Sequence, residues 1–197
     1  PAYLRVTAID RLKDNDSMVA YEKLAAELNV LPEIDYERVT LMKWEYLKAV
    51  FLQSGEKTLN SSGFKEFFEA NREWLEPYAA YCCLRDIYET PDFRKWKMYS
   101  VFNPDDIAEF CACGNIYYDK VSFYYFVQYH LHVQLLEVRN YAHAKGIVLK
   151  GDIPIGVSRD SVDAWSHPEL FYMDSQAGAP PDDFSVEGQN WGFPTYN

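Results

Sequence analysis

Residues 177–197, AGAPPDDFSVEGQNWGFPTYN, gather the side chains best suited to gripping a hydroxylated ring. Asp183, Gln189 and Asn190 supply a carboxylate and two amides that exchange hydrogen bonds with hydroxyl groups. Phe184 and Trp191 supply flat apolar faces for a pyranose ring, and the mixture is the chemistry of a carbohydrate subsite. The stretch has no periodicity, and a loop of such length is uncommon unless it carries function. By composition alone, a structural loop pinned by Pro180, Pro181, Pro194 and aromatic side chains fits equally well.

Asp152 is the second candidate. It sits in a Lys-Gly-Asp-Ile-Pro turn within IVLKGDIPIGV (147–157), the most strand-like run of the chain. A carboxylate there serves as readily for a helix cap or an ion pair as for a substrate. Its context adds weight, because a long helix, a glycine and then a strand ending in a carboxylate is how an α/β barrel is written. Functional groups of such barrels lie at the C-terminal ends of the strands.

Other constellations fail. His130 and His132 form H-x-H on a helix, which points them apart, and no third ligand follows, so no metal is expected. His143 and His167 have no Cys or Ser nucleophile signature around them. Neither glycine-rich nucleotide motif occurs, and no cofactor is expected.

The elements that must position these groups are mostly helical. Ser17 is expected to cap a helix ending near Asn29, and Asp35 a second one in which Val39, Met42, Tyr46 and Val50 keep helical spacing. Gly55 to Ser62 reads as a loop. Residues 64–89 read as a helix in two pieces divided near Pro77, followed by an irregular stretch in which Trp96 and Tyr99 can plug a groove. Asn103-Pro104 is an N-cap and N1 pair for a short helix ending at Gly114. The strongest helix runs from about Tyr118 to Lys145 and is stopped by Gly146; aromatic on nearly every side, it must be buried on more than one face. In SRDSVDAWSHPELF (158–171), Ser158, Asp160 or Ser161 can cap a short helix whose Trp165, with Phe171 beyond it, packs inward. Residues 2–9, AYLRVTAI, read as a first short strand.

Composition narrows the class further. With 48% hydrophobic and 17% aromatic residues the chain is not disordered, and 197 residues suffice for one domain with a real core. A formal net charge of −11 without a basic cluster argues against nucleic acid. No apolar run is long enough to span a membrane, and the N-terminus lacks signal-peptide character. Opening on an apolar segment without methionine points to a cut inside a longer protein. Cys82, Cys83, Cys111 and Cys113 match neither a disulfide framework nor a zinc knuckle, so all four are expected reduced and buried in a cytoplasmic protein.

KGDIPIGVSRDSVDAWSHPELF (150–171) and AGAPPDDFSVEGQNWGFPTYN (177–197) together resemble the 4-α-glucanotransferases (amylomaltases and disproportionating enzymes) of glycoside hydrolase family seventy-seven. AYLRVTAI (2–9), WLEPYAAYCCLRD (74–86) and FVQYHLHVQLLEVRNYAHAKGIVLKGD (126–152) extend the likeness upstream. The resemblance implies an internal fragment of the catalytic domain of a TIM-type α/β barrel, mainly helical with about two short barrel strands. Residues 1–10 would be one barrel strand, 11–145 a helical subdomain inserted in the barrel, and 146–197 a second strand with the substrate-binding loop.

By the same resemblance, the parent enzyme transfers α-1,4-glucosyl segments from starch-derived maltodextrins to an acceptor sugar, through a covalent intermediate with retention. That chemistry needs two carboxylates about 5 Å apart. Asp152 matches the family's strand-end aspartate that helps bind substrate, and Phe184, Gln189 and Trp191 match the loop lining the donor groove. Asp183 stands where several members carry an aromatic residue. The nucleophile, in an Arg-x-Asp-His motif, and the acid/base glutamate are expected downstream of Asn197, so this chain holds no catalytic residue and is expected to be inactive alone. α-Glucan oligosaccharides are the expected partners, with no membrane or nucleic acid, and the surface exposed by truncation offers a route to a homodimer. The alternatives are a non-catalytic glycan-binding or helical interaction module and an α-amylase-type hydrolase.

Overall fold

The computed structural model describes residues 1–197. Six helices dominate it: α1 (Asn15–Asn29), α2 (Tyr36–Leu59), α3 (Ser62–Tyr88), α4 (Pro104–Phe110), α5 (Tyr118–Ala144) and α6 (Val162–Ser166). Four two-residue strands follow, β1 (Phe171–Tyr172), β2 (Gly178–Ala179), β3 (Gln189–Asn190) and β4 (Thr195–Tyr196). No helix is long and apolar enough to cross a membrane. Contacts divide the chain into two compact units, Pro1–Arg72 with Ser122–Leu149, and Glu73–Val121 with Lys150–Asn197.

In the first unit, α1 and α2 start on carboxylate caps. Asp35 accepts from the Arg38 amide at 3.0 Å, as its position predicts. At α1 the cap is Asp14 rather than Ser17, because the Asp14 carboxylate reaches forward and takes the Ser17 N–H at 2.8 Å. The expected break at Gly55 is absent. α2 continues to Leu59, since one glycine costs a helix only about 1 kcal/mol while Leu47 and Val50 on the same helix are fully buried. The core joins Leu4, Val6, Leu12, Met18, Tyr46, Leu47 and Val50 to Phe123, Phe126 and Val127 of α5. Phe51 meets Phe123 and Phe126 edge-on at 5.4 Å, a favoured geometry for aromatic pairs.

The expected strand over residues 2–9 is not formed. Val6–Ala8 is a single 3-10 turn that plants Leu4 and Val6 in the core. The Gln134 side-chain amide takes the place of a neighbouring strand: its Oε1 accepts from Arg5 N at 2.9 Å and its Nε2 donates to Arg5 O at 3.0 Å. α5 ends as its glycine predicts. Gly146 adopts φ 74, its N–H bonds to His143 O and the Ile147 N–H to Ala142 O, both at 2.9 Å, which is the Schellman pattern. Beyond it, residues 147–157 make no strand either. Strand propensity is realised only against a partner. Here the β-branched run has none, and Val148 and Ile153 are more than 80% exposed.

In the second unit, α3 passes through Pro77 unbroken. Proline inside a helix costs about 3 kcal/mol, and the complete burial of Leu75, Ala79 and Ala80 around it offsets that. The irregular stretch after α3 delivers Trp96 into a nest with Tyr81 and Trp165, the two indoles 5.7 Å apart. Each indole N–H finds a carbonyl, Trp96 that of Thr90 at 2.9 Å and Trp165 that of Tyr99 at 2.8 Å. The Tyr81 hydroxyl lies against the carbonyls of Pro91 and Asp160. Burial, reinforced by the Asp160 carboxylate, pushes it up to about 12, so it remains a donor. Asn103 caps α4 and Ser161 caps α6. α4 stops at Phe110, short of Gly114. Of the four cysteines, Cys82, Cys83 and Cys111 are buried thiols, but Cys113 is exposed in the turn after α4.

Candidate functional site

The loop that follows α6 is built on two antiparallel pairings. β1 pairs with β4, Phe171 opposite Tyr196, and β2 with β3, Gly178 opposite Asn190. The second pairing extends by one step, because Trp191 N–H bonds to Ala177 O at 3.0 Å and Ala177 N–H to Phe193 O at 2.9 Å. A stretch without sequence periodicity thus becomes ordered by short-range backbone pairing.

At its tip, Asp182 accepts from the amides of Phe184 at 2.9 Å and Ser185 at 2.7 Å, an Asx-type turn. Ser185 closes the turn by donating its hydroxyl to Gly188 O at 2.6 Å. The consequence is that the Phe184 ring stands outward, 97% exposed, with Asp183 exposed beside it. At the other end, Trp191 is exposed and its indole N–H donates to Gln189 Oε1 at 2.8 Å. Asn190 holds the next turn, its Oδ1 accepting from Gly192 N at 2.9 Å.

The structure therefore brings Gln189, Asn190 and Trp191 together on one short segment and places Asp183 and Phe184 on a separate tip. Asp152 stands in the exposed 147–157 run, where its carboxylate accepts from the following Ile153 amide at 2.9 Å. The run is tied to the loop through Gly156. A Cβ there would meet the Phe193 ring at 2.2 Å, so only glycine admits that ring. Phe193 in turn lies 5.8 Å from Trp191.

Three residues with no assigned role in the sequence support this surface: Asp182, Phe193 and Arg159. An Asp two and three residues ahead of the amides it caps is a recognisable turn signal. Arg159 leaves no such trace. Its guanidinium donates to the carbonyls of Gly192 at 3.2 Å, Met173 and Ser175, partners brought to it only by the fold.

Chemically the surface can stack and hydrogen-bond. Reactive groups elsewhere are poorly suited to catalysis: burial pushes the Cys82 and Cys83 thiols up to about 11 and 12, away from the nucleophilic thiolate. Burial likewise holds His130 down at about 4. No group of three His, Cys, Asp or Glu side chains is placed to hold a metal ion.

The family described as 4-alpha-glucanotransferase matches residues 1–197. The 4-alpha-glucanotransferase DPE2 of Oryza sativa subsp. japonica is 44% identical over 197 residues, which are 100% of this chain and 21% of that protein. A 4-alpha-glucanotransferase of Chlamydia muridarum is 31% identical over 198 residues, 100% of this chain and 37% of its own length. Among solved structures, the amylomaltase from Streptococcus agalactiae in complex with acarbose aligns with a TM-score of 0.68 at 25% identity, covering 95% of this chain and 41% of that one. The amylomaltase from Corynebacterium glutamicum shares the fold with a TM-score of 0.74 at 23% identity, covering 100% and 26%. The chain thus spans between a fifth and two fifths of the length of these curated relatives.

Proposed function

The chain belongs to the 4-alpha-glucanotransferase family, and we propose that it is one portion of a longer retaining enzyme that moves α-1,4-glucosyl segments between starch-derived maltodextrins and an acceptor sugar. The observation that carries this reading is the exposed aromatic and amide surface at Gln189–Trp191, braced from below by Phe193 and Arg159. Trp191 stacks on a glucosyl ring. Gln189, whose Oε1 is occupied by the indole, offers its NH2 group to sugar hydroxyls, and Asn190 does the same. Phe184 and Asp183 act at the tip, where Asp183 hydrogen-bonds instead of stacking. Asp152 approaches the substrate from the 147–157 run. That a solved relative, the amylomaltase from Streptococcus agalactiae, is in complex with acarbose supports an oligosaccharide ligand for the longer protein.

The bond-breaking carboxylates come from the remainder of the longer protein, a TIM-type barrel. Residues 1–10 and 146–157 join its sheet when their partner strands are present, and 11–145 form a helical insertion. Four free cysteines fit a cytoplasmic setting. The apolar side chains of Val148, Ile153 and Ile155, exposed here, are the surface through which the isolated chain would dimerise.

Maltotriose disproportionation tests the reading. The longer protein is expected to yield glucose together with longer maltodextrins, and this chain alone neither. Glucose without elongation would make the enzyme a hydrolase, and turnover by the chain alone would place the catalytic groups within it.

A further inference from the structure

We infer that Arg159 is a positioning residue that sets the Gln189–Trp191 segment in its glucan-binding orientation, an assignment that rests on the proposed reading of this loop. One guanidinium reaches three carbonyls, those of Met173, Ser175 and Gly192, which lie 14, 16 and 33 residues further along the chain. It thereby ties the turn after β1 to the turn after β3. The acidic neighbour Asp160 is engaged instead by Arg94, at 2.8 Å, which leaves the Arg159 fork aimed at carbonyl oxygens.

The clamp acts at a decisive residue. Gly192 is fixed from both sides, its N–H by the Asn190 side chain and its C=O by Arg159. Trp191 is the residue immediately before it. With the Trp191 N–H already bonded to Ala177 O, its backbone is held at both ends, and its ring lies 5.8 Å from that of Phe193. Freeing the Gly192 carbonyl lets the Gly192–Phe193 peptide rotate and shifts the Phe193 ring against which the indole lies. A planar fork with five donors suits three diverging acceptors, whereas an ammonium covers fewer of them from one position.

The test uses the longer enzyme with Arg159→Met and Arg159→Lys. In Arg159→Met, KM for the maltodextrin donor is expected to rise about tenfold with kcat within about threefold, because a misplaced platform weakens ground-state and transition-state binding alike. Arg159→Lys is expected to fall between the two, and hydrogen exchange at the Ala177 and Trp191 amides to quicken in the same order. An unchanged KM, or a loss confined to kcat, overturns the assignment. If Arg159→Met does not fold, Arg159→Lys decides: a raised KM supports the clamp and a wild-type KM refutes it. Absence of transfer in the wild-type enzyme is a different result, refuting the glucan reading and with it the role assigned to the clamp.

Discussion

The Trp191 indole N–H donates to Gln189 Oε1 at 2.8 Å. Residues two apart on an extended segment share a side, so the amide and the aromatic ring present themselves as one surface. Neither side chain is free to adjust alone, and the bond fixes which end of the Gln189 amide faces outward.

Replacing Trp191 with alanine removes the stacking face and is expected to raise KM for a maltodextrin donor about tenfold or more, the equivalent of roughly 1.4 kcal/mol. Gln189→Ala should have a smaller effect, since the ring remains but loses its orienting acceptor. Initial rates across donor concentrations distinguish the two.

Gly156 and Gly151 make a matched pair. Gly156→Val would push a side chain into the Phe193 ring, whereas a Cβ at Gly151 meets nothing within 4 Å. Thermal unfolding should show Gly156→Val destabilised by about 1–3 kcal/mol and Gly151→Ala close to wild type. Equal melting temperatures for the two variants would refute the Phe193 contact.

His130 supplies a pH dependence. Its Nε2 is buried without a hydrogen-bond partner, its ring lies 4.4 Å from Phe126, and burial lowers its pKa from 6.5 to about 4. Between those values the unfolded chain takes up a proton that the folded imidazole refuses, so stability falls as pH drops from 6.5 toward 4 and does not change above 6.5 on this account. His130→Leu should lose less stability than wild type over that window when urea midpoints are compared at its two ends. Parallel losses would count against the assignment.

At the end of α5, Gly146→Ala forces a Cβ into the left-handed region and should cost about 1 kcal/mol. Chemical denaturation reads the difference directly, and a neutral outcome would mean that the helix terminus rearranges.

What was legible in the sequence is what is decided locally. Asp35, Asn103-Pro104 and Gly146 cap or stop helices using amides within a few residues of themselves, so spacing alone locates them. The strands expected at 2–9 and 147–157 depended on distant partners. Gln134 answers the first with a side chain, and nothing in this chain answers the second. Sixteen tyrosines and twelve phenylalanines announce an aromatic core without saying which rings meet. For the loop, residue types singled out Phe184, Gln189 and Trp191 as candidates, but that Phe184 stands at an exposed tip and that Trp191 bonds to Gln189 came only with the folded backbone. Arg159 stayed hidden because backbone carbonyls are its partners, and every residue has one.

The run from Ile147 to Val157 has a bearing on handling the polypeptide. A β-branched stretch with open backbone edges is the kind of template that recruits a second copy and grows into fibrils. Within it, Lys150 and Asp152 place charge at short intervals, and Pro154 removes a donor that cross-strand stacking would require. These three residues act as gatekeepers. Neutralising Lys150 and replacing Pro154 would turn a solvated connector into an aggregation seed without altering a single core contact.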